Sequence, residues 1–388
     1  MNYVCLSPNF PPNYVNFSKR LHERGVTVLG IGSDPYDHLA PVLKDALTEY
    51  YRVDDMEHYD SVLRACAYFT FKYGKLDRIE SHNEHWLAQD ARLRTDFNVF
   101  GFKSDDLSDI RLKSRMKEVF RRIGVPVAYG RVVTTWEEAR ALIKDTGYPV
   151  CAKPDSGVGA AHTYKLKNEE DLQRFFDTKP PVDYIMEEFI EGEIHTFDGL
   201  TDQEGRVVFM NTFIFDKGVM ETVNDDLDMF YYSLRKIPED LKNFGLRSVE
   251  AFGLKERFFH IEFFRTAAGK VIALEINMRP PGGWSMDLFN YANEADLYDE
   301  YARLVTENQF NAPLERPYYV AYTGLKLREH VHHIQHQEDI LAGYGDLIIQ
   351  HGPIESVFAA AIGDYAYVLR SPELETLKEA AAFILQRA

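Results

Sequence analysis

The sequence predicts an α/β amino-terminal part with a parallel sheet, followed by α+β segments built on antiparallel strands. Over about the first 100 residues, short apolar strand patterns alternate with amphipathic helix patterns, an order typical of a parallel sheet covered by helices. Residues 184–215 have instead the pattern of an antiparallel meander that turns at Asp202–Gly205. Residues 257–279 predict a β-hairpin, because two runs rich in β-branched and aromatic residues flank a tight turn at Gly269.

The first part of the chain supports the parallel sheet element by element. Strand patterns lie at Tyr3–Leu6, Val26–Ile31, Glu49–Val53 and Asp77–Glu80, and helix patterns lie at Tyr14–Arg24, Tyr59–Tyr73 and Glu84–Phe97. Ligands of such sheets bind beyond the carboxyl ends of the strands, where the loop Ser81–Glu84 is expected. Asn83 and Glu84 are therefore candidate substrate-binding residues, although Ser81 or Asn83 can equally well cap the next helix.

The next part of the chain leads into a glycine-rich loop at residues 154–161. The predicted elements before it are a helix at Leu112–Ile123 that carries Lys113, a strand at Tyr129–Val133, a helix from the capping box at Thr135 to Thr146, and a strand at Val150–Lys153. In the loop, Gly157 and Gly159 let backbone N–H groups approach an anion closely, and Lys153 supplies a point charge for a phosphate.

This loop is a weak signal on its own. It lacks the Gly-Lys-Ser/Thr ending of a Walker A loop and the third glycine of a dinucleotide-binding fingerprint. An ordinary glycine turn remains an equal alternative.

The remaining elements are predicted in the same way. Residues Met220–Arg235 are polar and aromatic, which predicts a mobile loop, and Glu239–Phe252 is predicted to be a helix. Residues 316–388 are expected to hold three short strands and a last helix at Glu373–Gln386.

The register of the hairpin brings two carboxylates together. If Ala267 pairs with Lys270 across the turn, Glu262 lies directly opposite Glu275. Directly opposed residues point to the same face of an antiparallel pair, and side chains alternate along each strand. His260 therefore shares this face.

Asn277 and Arg279 are expected on the same face as Glu275. Like charges that oppose each other in a sheet repel. A hard divalent cation relieves that repulsion, and Mg²⁺ commonly takes one or two carboxylates together with substrate phosphates. A solvated polar face is the alternative, but the flanking residues are too apolar for an ordinary exposed hairpin.

Composition excludes several classes of protein. The chain of 388 residues is 45% hydrophobic, which argues against disorder. Its net charge of −17 argues against a general nucleic-acid binder, so an anionic substrate must meet local lysines and arginines. The three widely spaced cysteines suggest no disulfide framework. Because no signal peptide or membrane-spanning run is recognised, a cytoplasmic, membrane-free protein is expected.

Taken in order, these features resemble the ATP-grasp superfamily over roughly residues 1–310. The order is an α/β domain, a helix lysine, a strand lysine before a glycine loop, an acidic hinge, and paired acidic strands that end Glu-x-Asn-x-Arg. The resemblance implies the ATP-grasp fold in four units: a Rossmann-like domain at 1–100, a small lid subdomain at 101–195, a central antiparallel-sheet subdomain at 196–315 and a carboxyl-terminal cap at 316–388.

The resemblance assigns the phosphate-binding residues of ATP. Lys113 and Lys153 resemble the two lysines that hold the ATP phosphates. Ser156, Gly157 and Gly159 resemble the loop that closes over the β- and γ-phosphates.

It also assigns the residues around the base and the ribose. Glu187, Glu188 and Ile190 resemble the adenine hinge. Glu193 resembles the glutamate near the ribose, although some members place that glutamate one residue later, where this chain has Ile194.

The metal and substrate residues follow from the end of the hairpin. Glu262, Glu275 and Asn277 resemble the Mg²⁺ ligands of the family, with Mn²⁺ as a substitute ion. Arg279 resembles the arginine that meets the transferred phosphoryl group or the substrate carboxylate. The Gly282–Gly283 loop precedes a helix at Met286–Ala292 that Ser285 could cap, and its N-terminus suits an anionic substrate.

The resemblance implies an ATP-dependent ligase that joins a small carboxylate to an amine through an acyl phosphate and releases ADP and phosphate. Lys153 and Arg279 are the expected catalytic residues, and Arg279 would stabilise the oxyanion. No general base is identifiable, and His260 and Asp198 are hypotheses. An amino-acid or dipeptide ligase is preferred, and a homodimer is expected from the family.

Two alternatives stay open. One is bicarbonate activation of the biotin-carboxylase or carbamoyl-phosphate type, which would need a partner because the chain has no second repeat and no biotinyl segment. The other is a non-catalytic ATP-binding regulatory module.

A histidine cluster, formed by His330, His332, His333 and His336, is a separate feature. His332 and His336 could share a helix face and bind a transition metal. A solvated surface cluster without a metal is the favoured interpretation.

Overall fold

The amino-terminal sheet is parallel, as predicted. The computed structural model describes residues 1–157 and 162–388. Four strands lie in the order β3-β2-β1-β4. These are β1 (Asn2–Leu6), β2 (Thr27–Gly32), β3 (Glu49–Arg52) and β4 (Arg78–Glu80), and the helices that follow them are α1 (Val15–Glu23), α2 (Pro41–Ala46), α3 (Tyr59–Tyr73) and α4 (Leu87–Asp96). Val4 and Leu29 are completely buried, because helices cover both faces of such a sheet.

The second part of the chain forms a small antiparallel sheet in the order β5-β8-β6-β7. Its elements, with the two helices before it, are α5 (Leu107–Arg111), α6 (Lys113–Arg122), β5 (Gly130–Val133), α7 (Trp136–Thr146), β6 (Val150–Pro154), β7 (Tyr164–Leu166), α8 (Glu169–Thr178) and β8 (Tyr184–Glu188). The predicted capping box is confirmed, since the Thr135 side chain accepts from the N–H of Glu138.

A nine-stranded antiparallel sheet dominates the rest of the molecule. Eight strands follow the order β14-β13-β9-β11-β12-β15-β17-β16, and β10 pairs with β9. The strands are β9 (Glu193–Thr201), β10 (Val207–Asn211), β11 (Phe213–Phe215), β12 (Met229–Ser233), β13 (Phe258–Arg265), β14 (Val271–Asn277), β15 (Tyr319–Leu325), β16 (Ile348–Pro353) and β17 (Tyr365–Ser371). The helices among them are α9 (Val219–Asn224), α10 (Glu239–Ala251), α11 (Ser285–Asn293), α12 (Leu297–Glu307), α13 (Gln337–Tyr344), α14 (Ser356–Ile362) and α15 (Leu374–Ile384).

The prediction of a mobile loop at Met220–Arg235 is wrong. The segment contains most of α9 and all of β12, and β12 is paired between β11 and β15. Tyr231 is buried and stacks on Phe215 and Tyr322. The aromatic residues that suggested an irregular segment are core residues of a central strand.

The last part of the chain is continuous with the central sheet. Residues 316–388 hold three strands and a last helix, as expected, and β15 pairs with β12. The segments 196–315 and 316–388 therefore share one sheet. In the described ranges no helix is long and apolar enough to cross a membrane.

The alternative in which His332 and His336 share a helix face is wrong, because α13 begins only at Gln337 and His336 precedes it. His333 is 8% exposed and its Nε2 lies 3.1 Å from Asp228 Oδ2. Within residues 1–157 and 162–388 no group of three or more His, Cys, Asp or Glu side chains is arranged to hold a metal ion.

An ionic cluster joins the amino-terminal sheet to the central sheet. Glu80, at the end of β4, accepts from Arg94 at 2.8 Å and pairs with Arg257, which precedes β13. Both arginine side chains are buried. Burial opposes ionisation of Glu80, but Arg257 and Arg94 outweigh it and lower the pKa of Glu80 to about 2.

Replacing Glu80 by glutamine is expected to destabilise the fold by about 3 kcal/mol, because two buried guanidinium groups lose their counter-ion. The folded pKa lies below the usual carboxyl value, so ionised Glu80 contributes fully above about pH 4.5 and the contribution disappears as the pH falls towards 2. Urea unfolding of both proteins across this range should show their free-energy difference shrinking. Exposed Glu118, replaced by glutamine, is the control and should change stability by about 0.5 kcal/mol or less. A wild-type advantage that stays constant in acid would contradict the assignment.

Candidate functional site

A cavity of about 380 Å³ lies between the small sheet and the central hairpin. Lysines and carboxylates line it together with apolar residues, among them Phe189, Ile190 and Ile194 where β8 leads into β9. The sequence-predicted residues on its wall are Lys113, Lys153, Glu187, Glu188, Ile190, Glu262 and Glu275. Its volume is in the range of ligand sites. Two sheets and the first turn of α6 thus bring these residues to one wall, although they are far apart in sequence.

The predicted opposition of Glu262 and Glu275 in the hairpin is confirmed. His260 pairs with Asn277, and these two residues are each two positions from Glu262 and Glu275 on their own strands. The register at the turn differs from the prediction, because Thr266, and not Ala267, donates its N–H to the Lys270 carbonyl. A β-bulge between Glu262 and Phe263 absorbs this one-residue shift.

Each of the two opposed carboxylates has a cationic neighbour. Lys113 Nζ lies 3.6 Å from Glu275 Oε2, and His260 Nε2 lies 3.0 Å from Glu262 Oε1. Burial alone would raise the pKa of Glu275, but Lys113, Lys153 and other cations lower it. Glu275 is therefore ionised at neutral pH.

The donor set fits a hard divalent cation. Glu262 and Glu275 are a directly opposed pair, and Asn277, which is 5% exposed, is two residues from Glu275 on the same face. Oxygen donors of this kind suit Mg²⁺ when substrate phosphates supply further oxygens. These residues alone give two carboxylates and a carboxamide, so phosphates would have to complete the coordination.

The two residues hypothesised as general bases, His260 and Asp198, are hydrogen-bonded to each other. His260 Nδ1 lies 2.6 Å from Asp198 Oδ1, and Asp198 is completely buried. Burial opposes the charge on His260, but Asp198 and Glu262 outweigh it and raise the pKa of His260 to about 10. Both ring nitrogens of His260 are engaged by carboxylates, which argues against His260 as the base.

A buried ionic triad lies beside the phosphate-binding candidates. Glu187 Oε2 is 2.9 Å from Lys153 Nζ, and Glu187 Oε1 is 2.7 Å from Lys117 Nζ. The Glu187 side chain thus points to the lysines. Sequence reasoning missed Lys117, although it follows Lys113 by four residues and so shares its helix face.

The start of the glycine loop is tied to α6 by Asp155, which sequence reasoning also missed. Its carboxylate accepts at 2.7 Å from both the N–H and the hydroxyl of Ser114, and its carbonyl accepts from the Lys113 N–H. Lys113 Nζ donates to the Gly157 carbonyl at 3.0 Å. Gly157 has φ of 139°, a conformation that favours glycine. Ser156 and Gly157 are exposed, and Gly159 lies outside the described residues.

The hinge candidates lie on the cavity wall where β8 leads into β9. Glu188 Oε1 accepts from the Tyr129 N–H at 2.8 Å, so its carboxylate fixes the hinge to the residue before β5. Lys165 Nζ lies 3.7 Å from the centre of the Phe189 ring. Glu193 is exposed and is absent from the cavity wall, which has Glu191 and Ile194 instead.

A second cluster lies where the amino-terminal domain meets the end of β14. Arg279 Nη2 is 3.1 Å from Glu84 Oε2, and Arg279 also donates to the Pro280 carbonyl. Burial raises the pKa of Glu84, and its other charged neighbours include Glu275 and Lys113. The Arg279–Glu84 pair thus joins the loop after β4 to the chain that follows β14.

The other substrate candidates serve local structure. Asn83 accepts from the His85 N–H at 2.9 Å and does not cap α4. Ser285 begins α11 and donates to the Gly282 carbonyl instead of capping the helix. The Gly283 carbonyl accepts from Asn13 of the amino-terminal domain at 3.2 Å.

Sequence comparison connects the chain with known proteins. A family model for the ATP-grasp domain matches residues 146–287. An L-arginine-specific L-amino acid ligase of Bacillus subtilis is 24% identical over 253 residues, which are 63% of this chain and 61% of that protein. The 2-oxoglutarate carboxylase small subunit of Hydrogenobacter thermophilus is 30% identical over 182 residues, which are 43% of this chain and 38% of that protein. The matches therefore span 61% or less of these two relatives.

Solved structures share the fold over nearly the whole chain. The L-amino acid ligase from Bacillus licheniformis has a TM-score of 0.74 and 12% identity, covering 100% of this chain and 98% of that one. The N5-carboxyaminoimidazole synthetase from Staphylococcus aureus also has a TM-score of 0.74, with 14% identity, covering 99% and 97%. The predicted fold class is thereby confirmed. The family model shows an ATP-grasp domain within this chain, and the solved structures show that nearly the whole chain shares their fold.

Proposed function

We propose that the protein is an ATP-dependent ligase that joins a small carboxylate, preferably of an amino acid, to an amine through an acyl phosphate, with release of ADP and phosphate. The observation that carries this proposal is one cavity wall on which Lys113 and Lys153 face the opposed pair Glu262 and Glu275. Phosphoryl transfer needs positioning and charge neutralisation more than covalent help, and these groups can supply both.

ATP would bind with its base near Glu188 and Ile190, and its phosphates near Lys113 and Lys153. The loop with Ser156, Gly157 and Gly159 would cover the phosphates. We include Glu187 in the ATP site through its contact with Lys153, and Glu193 as the ribose candidate carried over from the family.

Glu262, Glu275 and Asn277 would hold Mg²⁺ or Mn²⁺, because their oxygens form a hard donor set on one face of the hairpin. When bound, the ion neutralises charge that develops on the phosphates. Within the protein, His260 and Lys113 keep the two carboxylates compensated and oriented.

The chemistry needs no side-chain nucleophile. A carboxylate oxygen of the substrate attacks the γ-phosphorus, the bond to ADP breaks, and an acyl phosphate forms. The amine nitrogen then attacks the acyl carbon, loses a proton, and inorganic phosphate leaves. Arg279, which pairs with Glu84, would orient the carboxylate and stabilise the oxyanion.

An amino acid fits the Arg279–Glu84 pair because the pair is complementary to a zwitterion. Arg279 can bind the carboxylate of the substrate, and Glu84 can accept from its ammonium group. We keep Gly282, Gly283 and Asn83 as further substrate candidates, because they lie close in sequence to Arg279 and Glu84. The L-amino acid ligase from Bacillus subtilis, as a relative, supports this substrate class.

Replacing Glu84 by glutamine is expected to raise KM for the amino-acid substrate by about tenfold to 100-fold, since one buried charge-assisted hydrogen bond is lost. The Kd for ATP should change by about twofold or less. Steady-state kinetics and nucleotide titration measure the two quantities. Exposed Glu57, replaced by glutamine, is the control on the neighbouring surface. An increase in the Kd for ATP with no change in KM would place Glu84 elsewhere.

Trapping of the acyl phosphate tests the proposed chemistry. Hydroxylamine in place of the amine should convert the intermediate to a hydroxamate, with one ADP released for each hydroxamate formed. Adenylate chemistry would instead release AMP with the hydroxamate, and that result would overturn the acyl-phosphate route.

We further propose that the protein acts on small molecules in the cytosol as a homodimer, built from the units 1–100, 101–195, 196–315 and 316–388. A dimer of the 2-oxoglutarate carboxylase biotin carboxylase domain, solved with MgADP and bicarbonate, is one structural neighbour. Light scattering on the purified protein measures the mass of the assembly.

A further inference from the structure

The triad of Lys153, Glu187 and Lys117 has two cations on one carboxylate. All three side chains are nearly inaccessible, with exposures of 7%, 3% and 1%. The two lysine nitrogens contact different oxygens of Glu187, at 2.9 Å and 2.7 Å. A single buried carboxylate needs only one cation for neutrality, so the second lysine requires an explanation.

Binding of ATP explains it. A phosphate bound at Lys153 competes with Glu187 for the same ammonium group and draws it away from that carboxylate. A buried carboxylate that loses its counter-ion carries a large desolvation cost. With Lys117 in place, Glu187 stays paired after Lys153 has moved.

We infer that Lys117 is a positioning residue that holds Glu187 when Lys153 moves to the ATP phosphates. This inference rests on the proposed function, because it requires Lys153 to bind phosphate. The two lysines differ in setting: burial, together with the nearby Lys153, outweighs Glu187 and lowers the pKa of Lys117, whereas Glu187 and other anions outweigh burial and raise the pKa of Lys153. Lys153 thus remains a cation for phosphate.

A direct attraction between Lys117 and the phosphates is the competing explanation. The two explanations predict different results when Glu187 carries no charge. If Lys117 acts by pairing with Glu187, removal of the Glu187 charge makes Lys117 dispensable. If Lys117 attracts phosphate directly, its removal weakens binding whether Glu187 is charged or not.

The test compares binding of adenosine, ADP and ATP, each with Mg²⁺, to four proteins: wild type, Lys117→Met, Glu187→Gln and the double variant. The ratio of the adenosine Kd to the ATP Kd reports the contribution of the phosphates. Lys117→Met should lower this ratio by about tenfold or more. Adenosine binding should change by about twofold or less, and the double variant should recover most of the loss. A merely structural role would instead weaken adenosine binding as well.

The Glu187→Gln background keeps the test valid if Lys117→Met folds poorly. In the Glu187→Gln background, removal of Lys117 should change the ratio of the adenosine Kd to the ATP Kd by less than about threefold. A fall of about tenfold in this background would establish direct attraction and overturn the inference, as would an unchanged ratio in folded Lys117→Met. If the wild-type protein bound adenosine and ATP equally tightly, the proposed ATP site itself would be wrong. This outcome is known before any variant is compared.

Discussion

Replacement of Glu275 by glutamine is expected to reduce ATP-dependent turnover by roughly 10³-fold or more. The change removes one charge from the opposed pair with Glu262 while keeping the size and shape of the side chain. A loss of several kcal/mol of charge stabilisation in the transition state corresponds to a rate effect of this size. Substrate-dependent phosphate release measures it, and manganese binding in the presence of ATP should weaken in parallel.

Glu118, replaced by glutamine, is the matched control, since it lies on α6, is exposed and pairs with Arg115. It should retain wild-type turnover. If a folded Glu275→Gln protein turned over at the wild-type rate, the metal assignment for Glu262, Glu275 and Asn277 would be wrong.

Replacement of Arg279 by lysine is expected to lower kcat/KM for the carboxylate substrate by about 10²- to 10³-fold, a loss typical of one oriented oxyanion donor. Lysine keeps the charge but loses the planar fork that can hold a carboxylate through two hydrogen bonds. Arg279 also contacts Glu84 and the Pro280 carbonyl, so a lysine would orient this corner less well. The Kd for ATP should change little.

Arg265, replaced by lysine, is the control because it pairs with Asp240 at the turn end of the same hairpin. Its kcat/KM should equal that of wild type. If Arg279→Lys raised the Kd for ATP and left the carboxylate kinetics intact, Arg279 would belong to the nucleotide and not to the substrate.

Local patterns predicted the hairpin face because side-chain alternation in a strand is short-range. Counting from the turn placed Glu262 opposite Glu275 even though the turn itself closes one residue earlier, at Thr266. The bulge compensates for that error. The same reasoning could not show that His260 is clamped between Asp198 and Glu262, since Asp198 comes from a different strand.

The contacts that sequence reasoning missed are between distant elements. Lys117 of α6 meets Glu187 of β8, and Glu84 of the amino-terminal domain meets Arg279 beyond the end of β14. The strand Met229–Ser233 is not predictable from its own residues, because its aromatic content also fits an irregular polar loop. Pairing with β11 and β15 makes it a central strand.

The most direct measurement is the identity of the nucleotide product when the purified protein is given Mg²⁺-ATP with pools of amino acids and small carboxylates, and separately with bicarbonate. The account predicts ADP and phosphate whose formation requires both a carboxylate and an amine, and deconvolution of the pool then identifies the substrate. AMP and pyrophosphate would contradict the acyl-phosphate mechanism. ADP formed only with bicarbonate would assign the site to carboxylation, and tight ATP binding without turnover in any pool would contradict the enzyme function itself.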